Sequence, residues 1–378
     1  MKCTRQQQAT HSDSPQWRDG RFQDVLPREE PKGWSILREW AVGRNGYRVP
    51  TAPMPIVERV ARDFETAPPS GLRVTWLGHS SSLVEIDGRR VLFDPVFGER
   101  ASPLSFAGPK RFHAPPLPAR ELPPLDAVVI SHDHYDHLDQ PTVVEIARLQ
   151  PKVPFVVPLG VGAHLERWGI ARERVVELDW WDAHGLDGLG ELELVATPAR
   201  HFSGRALTMT DKDQTLWAGW AIVGPKHRVY FSGDTAMFPG FAEIGERLGP
   251  FDVSLIETGA YSPLWRDVHI GPEQGVVAAQ LTRSELVVPV HWGTFDLAMH
   301  GWTEPIERML QAAERKGVRI ATPRPGASFE PAAPLPIERW WPELPWQRAY
   351  EQPVVSSGLA DALVQRIRAL AAPSISMA

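Results

Sequence analysis

The densest group of potential metal ligands lies in the segment 131–139, which reads Ser-His-Asp-His-Tyr-Asp-His-Leu-Asp. His132, His134, Asp136 and His137 supply three imidazoles and one carboxylate, which are ligand types that suit zinc. They come at the end of a continuous apolar run that is typical of a buried strand. His132 and His134 can point to the same side, because a strand repeats every two residues. We therefore predict a metal site at the C-terminal end of this strand.

Three further residues of ligand type, His201, Asp234 and His291, each follow a predicted strand closely. With the first group they make five histidines and two aspartates. A pair of zinc ions bridged by one carboxylate needs a ligand set of this size, and such a pair activates water for hydrolysis at neutral pH. We therefore expect two Zn²⁺ per chain and a hydrolytic reaction. The alternative is a non-catalytic metal-binding module. The full ligand set argues against it, because a module without catalysis has less need of an open site for two metals.

The elements that must position these residues begin as hairpins and continue as strands mixed with helices. Asp87-Gly88 lies between two alternating apolar runs and predicts a tight hairpin turn. This order favours two sheets enclosed by helices over one parallel sheet. The predicted strands are 74–77, 82–86, 90–94, 125–131, 154–158, 174–179, 191–198, two within 216–234, 253–257 and 285–292, and the predicted helices are 141–149, 161–169, 272–282 and 304–315.

Segments of different character flank this catalytic domain, which we assign to residues 71–330. Residues 1–70 carry many prolines and are expected to form an N-terminal extension with short helices at 34–41 and 55–64. Residues 331–378 are expected to form a Pro/Trp-rich tail and a helix over about 358–371. The apolar face of that helix favours docking on the core. A membrane-surface helix or a helix that pairs two copies in a homodimer is the alternative.

Composition narrows the function further. The chain has 378 residues and a formal net charge of −6, which argues against a large nucleic-acid interface. Cys3 is the single cysteine, so neither an intrachain disulfide nor a cysteine-built zinc site is expected. No apolar run is long enough for a transmembrane helix, and the first 20 residues lack the apolar core of a signal peptide. We therefore expect a cytoplasmic protein, and peripheral contact with a membrane is compatible with this sequence.

The ligand motifs resemble those of the metallo-β-lactamase superfamily: His-x-His-x-Asp-His, then a later histidine, Ser-Gly-Asp-Thr and a final histidine at a strand end. Within it, the chain is similar to the family of N-acyl-phosphatidylethanolamine-hydrolysing phospholipases D from about Trp76 to Phe295. The resemblance implies an α/β fold, an αββα sandwich with a binuclear zinc site between the sheets. The narrower motifs are GPKRF (108–112), ELDWWD (177–182) and HWGTF (291–295).

The same resemblance implies a role for each site residue. One zinc would take His132, His134 and His201, the other would take Asp136, His137 and His291, and Asp234 would bridge them. It also implies catalytic roles for Asp136 and for His269, which is expected near the reacting phosphate as a proton donor. His79 is expected to support the site without binding metal. The segment around His269, VHIGPEQG, departs from the family pattern, which has an acidic residue where Gly271 stands.

The function that the resemblance implies is zinc-dependent hydrolysis of N-acyl-phosphatidylethanolamine to N-acylethanolamine and phosphatidic acid. The expected partners are this lipid or another phosphodiester, and no nucleic acid. A lipid substrate needs an apolar cavity, and tryptophans near the motifs can line it or belong to the core. The alternatives on the same site are a lactonase, acting on a sugar-phosphate lactone or an acyl-homoserine lactone, and a nuclease. Turnover of a phosphodiester against a lactone discriminates the first alternative.

Overall fold

The computed structural model describes residues 11–29, 33–35, 38, 46–186, 191–333 and 337–372. Its strands are β1 (Trp17–Arg18), β2 (Arg21–Phe22), β3 (Leu72–Gly78), β4 (Ser81–Ile86), β5 (Arg89–Phe93), β6 (Ala127–Val129), β7 (Phe155–Pro158), β8 (Val175–Leu178), β9 (Ala183–Gly185), β10 (Glu193–Thr197), β11 (Gly219–Val223), β12 (Arg228–Phe231), β13 (Val253–Glu257), β14 (Val287–Val290) and β15 (Ser328–Phe329). Its helices are α1 (Gln140–Leu149), α2 (Gly162–Arg167), α3 (Gly240–Arg247), α4 (Pro272–Leu281), α5 (Glu304–Lys316) and α6 (Asp361–Ala371).

Two mixed sheets carry the fold. One has the strand order β15-β3-β4-β5-β6-β7-β8, and the other has the order β14-β13-β12-β11-β10-β9. In the first sheet β3, β4 and β5 form an antiparallel meander, after which β6, β7 and β8 add in parallel. In the second sheet β12, β13 and β14 are parallel. Parallel neighbours need a crossover connection, and the helices α1, α3 and α4 lie in these connections.

The alternation of side chains along β5 shows how the layers form. Val91 and Phe93 belong to the core between the sheets, whereas Leu92 belongs to the core under α1 and α2. The ring of Phe93 lies 4.8 Å from that of Phe231 on the other sheet, measured between centroids. Helices α3, α4 and α5 supply apolar residues to the core of the second sheet. The arrangement is a four-layer αββα sandwich, which confirms the predicted fold class.

The Asp87-Gly88 turn joins β4 to β5 with positive φ at both residues, 48° and 82°. A two-residue turn with both φ values positive is the type I′ hairpin that this dipeptide favours, because its twist matches that of the strands. The Asp87 carboxylate also accepts hydrogen bonds from the backbone N–H groups of Lys226 and His227. The turn therefore ties the first sheet to the β11–β12 hairpin of the second.

The helix predicted at 55–64 is wrong. Only a 3₁₀ turn, Ala61–Phe64, forms there. Upstream of it the chain lies extended against the core, because Val57 N–H donates to Pro325 O at 2.8 Å and Arg59 N–H donates to Pro116 O at 2.8 Å. These tertiary bonds use the backbone donors that a helix would need. The helix predicted at 34–41 falls mostly on residues outside the described ranges.

Both flanking segments contact the catalytic core at Arg200, whose side chain is completely buried. Its guanidinium donates to Pro27 O at 2.8 Å and to Ser357 O at 2.9 Å, and lies 3.2 Å from a carboxylate oxygen of Asp267. The C-terminal helix α6 packs against α4 and α5 and buries Ile367 and Leu370. It therefore docks on the core, the first of the two roles expected for it.

The strands β3, β5, β6, β10, β12, β13 and β14 all end at one edge of the sandwich. The two sheets are joined there by hydrogen bonds: Ala218 N–H donates to Ser131 O at 2.9 Å, and His291 N–H donates to His79 O at 3.0 Å. The indole of Trp220 also donates across the gap, to Ile130 O at 3.0 Å. None of the helices in the described ranges is long and apolar enough to cross a bilayer.

Candidate metal centre

Every residue predicted as a ligand lies just beyond the C-terminal end of a strand at this edge. The segment 131–139, here called the metal loop, follows β6. His201 follows β10, Asp234 follows β12 and His291 follows β14. Because these strand ends meet at one edge, the structure brings all seven predicted ligands together, in groups whose ligand atoms lie within 4.8 Å of one another. The seven are His132, His134, Asp136, His137, His201, Asp234 and His291.

Three imidazoles form the first cluster, His132, His134 and His201. The Nε2 atoms of His132 and His201 lie 2.8 Å and 3.2 Å from Nδ1 of His134. In a tetrahedral zinc site with bonds of about 2.05 Å, neighbouring ligand atoms are about 3.3 Å apart. The nitrogens of this cluster therefore converge at nearly the spacing that one zinc ion requires.

The second cluster contains Asp136, His137 and His291. Oδ2 of Asp136 lies 3.4 Å from Nε2 of His137 and 3.2 Å from Nε2 of His291. His79 joins this cluster, with its Nε2 3.0 Å from the same carboxylate oxygen. His79 thus contacts a predicted ligand, and its own Nε2 is near enough to belong to the ligand group.

The Asp234 carboxylate faces both clusters. Its Oδ1 lies 3.1 Å from Nε2 of His137, and its Oδ2 lies 3.1 Å from Nε2 of His291. The same Oδ2 lies 3.9 Å and 3.8 Å from the Nε2 atoms of His132 and His201. A carboxylate between two groups of imidazoles has the geometry that a bridging ligand needs.

The imidazoles are oriented by bonds on their opposite nitrogens. Nδ1 of His137 lies 2.7 Å from Oδ2 of Asp94, and Nδ1 of His201 lies 2.8 Å from the backbone oxygen of Val268. Nδ1 of His132 lies 2.9 Å from Oγ of Ser131. Such contacts fix the ring and leave the other nitrogen for a metal.

Asp94 and Glu257 were not among the residues predicted for the site. Asp94 follows β5, is completely buried and also accepts hydrogen bonds from the backbone and side chain of Ser131, at 2.7 Å and 2.6 Å. Glu257 is the last residue of β13 and is also completely buried. A charged residue that directly ends an apolar strand run is the signal that identifies both positions.

Several buried polar atoms of the centre lack a hydrogen-bond partner, and this indicates that the residues fit a metal ion. The centre buries His137 Nε2, Asp234 Oδ1, His291 Nδ1 and His79 Nδ1, and these atoms have no hydrogen-bond partner in the protein. Burying a polar atom without a partner is costly. A cation held by nitrogen and carboxylate ligands supplies the missing partner for two of them, His137 Nε2 and Asp234 Oδ1, which face the clusters.

Electrostatics at the centre also suit a cation. Burial, together with the neighbouring His137 and His134, holds the pKa of His132 well below its usual range, so its imidazole is neutral. Burial opposes ionisation of Asp234, yet the charges of His137 and His291 hold the pKa of this carboxyl well below its usual range. Although burial opposes it, the Asp234 carboxylate raises the pKa of His137 well above its usual range and that of His291 to about 10, so these two rings are protonated without a metal. Neutral imidazole and ionised carboxylate are the forms that bind zinc, so metal binding here releases protons.

His269 lies beside the ligands on the loop before α4. Its Nδ1 is hydrogen-bonded to Oε1 of Glu257 and lies 3.7 Å from Oδ2 of Asp234. Its ring stacks on that of His291 with centroids 5.3 Å apart. The side chain is 15% exposed, whereas those of His291 and His201 are completely buried. His269 is therefore open to solvent beside the ligand clusters.

Three of the tryptophans considered as cavity walls belong to the core. Trp217, Trp220 and Trp292 are buried, and each indole N–H donates to a backbone carbonyl within 3.0 Å. A buried indole needs such a partner, and these have it within the protein. They anchor the strand ends that carry the ligands.

Comparison with known proteins agrees with this geometry. Residues 89–292 match the family model described as a beta-lactamase superfamily domain. An uncharacterized protein of Mycobacterium tuberculosis is 47% identical over 344 residues, which are 88% of this chain and 89% of that protein. N-acyl-phosphatidylethanolamine-hydrolyzing phospholipase D 1 of Caenorhabditis elegans is 38% identical over 271 residues, 70% of this chain and 75% of that enzyme.

A solved structure shows the same likeness. The metallo hydrolase Igni18 of Ignicoccus hospitalis superposes with a TM-score of 0.52 and 25% sequence identity. The match covers 68% of this chain and 98% of that structure. The similarity therefore extends over nearly the whole of a metal-dependent hydrolase.

Proposed function

Because this chain belongs to the metal-dependent hydrolases of the metallo-β-lactamase superfamily, we propose that it is a zinc-dependent phosphodiesterase of the phospholipase D type. Its substrate is N-acyl-phosphatidylethanolamine, and its products are N-acylethanolamine and phosphatidic acid. The observation that carries the proposal is the position of His269, a solvent-accessible imidazole 3.7 Å from the Asp234 carboxylate that faces both clusters. The named activity of the Caenorhabditis elegans relative supports the choice of lipid.

Each residue of the centre has a proposed role. His132, His134 and His201 hold one zinc ion, Asp136, His137 and His291 hold the second, and Asp234 contacts both. Bound there, two zinc ions activate water and neutralise negative charge on the phosphoryl group. Asp94 fixes His137 through the 2.7 Å contact to its Nδ1, and Ser131 fixes His132 in the same manner. His79 holds the Asp136 carboxylate in place.

His269 is the proposed proton donor. The leaving group of the natural substrate is the alkoxide of an ethanolamide, which is a poor leaving group and needs a proton as the P–O bond breaks. The His269 side chain is 15% exposed, so we expect a phosphodiester to reach it from solvent. Asp136 would help to hold one of the two zinc ions, which is its proposed part in catalysis.

We propose that two loops next to the metal loop, the first containing Phe106 and the second containing Leu207, contact the lipid surface. Phe106 and Leu207 are 79% and 78% exposed, unusual values for large apolar side chains. Gly98, before the first loop, donates to Asp139 at 3.1 Å, and Arg205, in the second, donates to Leu138 O at 2.8 Å. Both loops thus rest on the metal loop, which supports a membrane contact close to the site.

A substrate panel on the zinc-loaded enzyme tests the function. N-acyl-phosphatidylethanolamine in mixed micelles, a nitrophenyl phosphodiester, a sugar-phosphate lactone and an acyl-homoserine lactone are compared at equal enzyme concentration. We expect turnover of the lipid, with release of N-acylethanolamine and phosphatidic acid in equal amounts, and slower turnover of the nitrophenyl ester. Turnover of the lactones alone would overturn the proposal and leave a lactonase on the same site. Release of diacylglycerol instead of phosphatidic acid would exclude phospholipase D chemistry.

A further inference from the structure

A buried carboxylate stands beside the metal ligands without belonging to either cluster. Glu257 is 0% exposed at the end of β13, where the preceding residues Val253–Ile256 are buried and mainly apolar. Burying an ionisable carboxyl is costly unless it is well hydrogen-bonded. The contacts that Glu257 makes therefore indicate why it is there.

Glu257 connects the segment of one predicted ligand with His269. Its Oε2 accepts a hydrogen bond of 2.7 Å from the backbone N–H of Thr235, the residue after Asp234. Its Oε1 accepts from the Nδ1–H of His269. The same Oε1 lies 3.8 Å from Nδ1 of His291. Each carboxylate oxygen is thus used, and each use fixes a group at the centre.

The element that carries Glu257 is rigid, whereas His269 lies on a loop. Strand β13 lies between β12 and β14, and Glu257 itself is in register with Val290, next to His291. His269 stands between the 3₁₀ turn Pro263–Trp265 and the start of α4. A loop residue gains a fixed orientation when its ring is bonded to a group on a central strand. Because Nδ1 is bonded to Glu257, Nε2 is the nitrogen that can reach the substrate, and a nearby carboxylate favours the doubly protonated ring that a proton donor needs.

We propose that Glu257 is a positioning residue, which holds His269 so that its Nε2 donates a proton to the leaving oxygen. This inference rests on the proposed function. Water forms the new bond to phosphorus and releases one proton to solvent. The bond between phosphorus and the leaving oxygen breaks with its electron pair on that oxygen, which takes the Nε2 proton. The ring then regains a proton from solvent, so the reaction consumes one water per ester.

A different role for Glu257 would be metal binding. Ligand atoms of Asp234, Glu257, His269 and His291 lie within 4.8 Å of one another, as in the other groups. The two roles predict different metal contents. Replacement of a positioning carboxylate leaves the bound zinc unchanged, whereas replacement of a ligand lowers it. Elemental analysis of Glu257→Gln therefore separates them, and loss of one zinc per chain in this variant would overturn the proposal.

A double-mutant cycle tests whether Glu257 acts through His269. The cycle compares the wild type, Glu257→Gln, His269→Gln and the double variant on the lipid and on the nitrophenyl phosphodiester. We expect Glu257→Gln to lower kcat on the lipid about 10- to 100-fold with KM changed less than about twofold, because a misplaced proton donor costs less than the loss of the donor itself, which is usually about 10²–10⁴-fold. In the His269→Gln background the same replacement should lower kcat by less than about twofold, because coupled residues are not additive. Equal losses in both backgrounds would overturn the proposal.

The nitrophenyl ester gives a second check, since its leaving group needs no proton. The loss caused by Glu257→Gln should be clearly smaller on this substrate. Glu85→Gln is the matched control, because Glu85 is also a buried carboxylate on a strand but pairs with Arg73 and Arg90 in the other sheet. It should lower Tm and leave kcat on both substrates unchanged. If Glu257→Gln does not fold, Glu257→Met keeps a similar volume without a polar atom to bury.

A measurement without turnover separates this inference from the proposed function. Nitrogen-15 NMR of the histidine rings in the zinc-loaded protein should show His269 with protons on both ring nitrogens, the Nδ1 proton being hydrogen-bonded to Glu257, and this Nδ1 signal should change in Glu257→Gln. A wild-type enzyme that hydrolyses only lactones would overturn the proposed function, and the NMR result would still decide the contact. A His269 signal that is identical in both proteins would overturn the positioning role, whatever the substrate.

Discussion

Three residues of the metal centre have a left-handed backbone although none is glycine. The φ values are 51° at His79, 38° at Asp94 and 66° at His291. This conformation is uncommon for residues with a Cβ atom and is found preferentially at functional sites. At each of them the chain leaves a strand, or has just left one, and the sharp change of direction aims the side chain along the edge of the sandwich. Local strain and ligand geometry are therefore properties of the same residues.

Among single residues, Asp234 gives the most direct test of the metal centre. Asp234→Ala should lower the zinc content by more than one ion per chain and abolish turnover, because this side chain faces both clusters. His134→Ala should remove about one zinc ion, because His134 belongs to one cluster. Elemental analysis of the purified proteins checks both, with circular dichroism to show that the fold remains.

His227→Gln serves as the matched control, because His227 pairs with Asp87 at the hairpin and contacts no ligand. It should keep two zinc ions and normal turnover. Full zinc content in Asp234→Ala would contradict the bridging role.

At the scale of elements, Gly259 shows how closely the strand ends must approach. A Cβ atom at this position would lie 2.0 Å from the backbone oxygen of His291, which is far inside contact distance. Gly259→Ala should therefore push the His291 segment away, lower Tm, and weaken zinc binding at the second cluster. The expected destabilisation is about 1–3 kcal/mol, the usual cost of overpacking. Thermal unfolding and competition with a zinc chelator measure the two effects.

Gly46→Ala is the control for this substitution. A Cβ atom at Gly46 would have no atom of the described residues within 4 Å. Tm and zinc affinity should be unchanged in this variant. If Gly259→Ala behaved in the same way, the contact between the β13 and β14 ends would be less tight than the structure has it.

The longer strands could be predicted from the sequence because they depend on local patterns, whereas the short strands β1, β2, β9 and β15 were not predicted. The apolar runs predicted β3, β4, β5 and β13 within about two residues, and Asp87-Gly88 predicted its hairpin. The ligand motifs at the strand ends then predicted which residues meet. The extended course of 55–60 could not be predicted, because Pro325 and Pro116, which accept its hydrogen bonds, are distant in sequence. Glu257 was missed although it directly ends an apolar run, because that run does not show what the carboxylate contacts and its partners lie 12 or more residues away.

At the scale of the whole molecule, pH acts on stability through Asp24 in the N-terminal segment. Burial raises the pKa of this carboxyl from 3.8 to about 8, against the opposing charge of Arg28, whose Nε lies 3.5 Å from Oδ2. The folded protein therefore keeps a proton that the unfolded chain loses, so the free energy of unfolding falls as pH rises from about 4 to about 8. Asp24→Asn removes the ionisable group and with it this fall in the free energy of unfolding. The variant should gain stability over the wild type progressively between these pH values.

Urea unfolding at pH 5 and pH 8 measures the effect of Asp24→Asn. Glu58→Gln is the control, because Glu58 is exposed, and its difference from the wild type should be small at both pH values. A stability difference for Asp24→Asn that is equal at pH 5 and pH 8 would contradict the shifted pKa.

The two exposed loops predict a property of the molecule as a whole, its binding to vesicles. The double variant Phe106→Ser/Leu207→Ser should sediment less with phosphatidylethanolamine-containing vesicles, because it loses the two most exposed apolar side chains beside the site. Its kcat on the soluble nitrophenyl phosphodiester should not change. Ile337→Ser, at an exposed residue of the tail, is the control and should bind vesicles like the wild type. Unchanged sedimentation of the double variant would exclude these loops as the lipid contact.

The burial of Arg200 sets an order of events during synthesis of the chain. Pro27 and Arg200 leave the ribosome early, but Ser357, which accepts from the same guanidinium, follows more than 150 residues later. Until then the guanidinium of Arg200, the residue before His201, lacks one of its carbonyl partners, and the segment that carries this histidine has one contact fewer. A nascent chain that already contains all seven predicted ligands therefore lacks the contact between Arg200 and Ser357 until its last segment is synthesised. We therefore expect a chain that ends before Ser357 to hold the His201 segment less firmly than the full chain does.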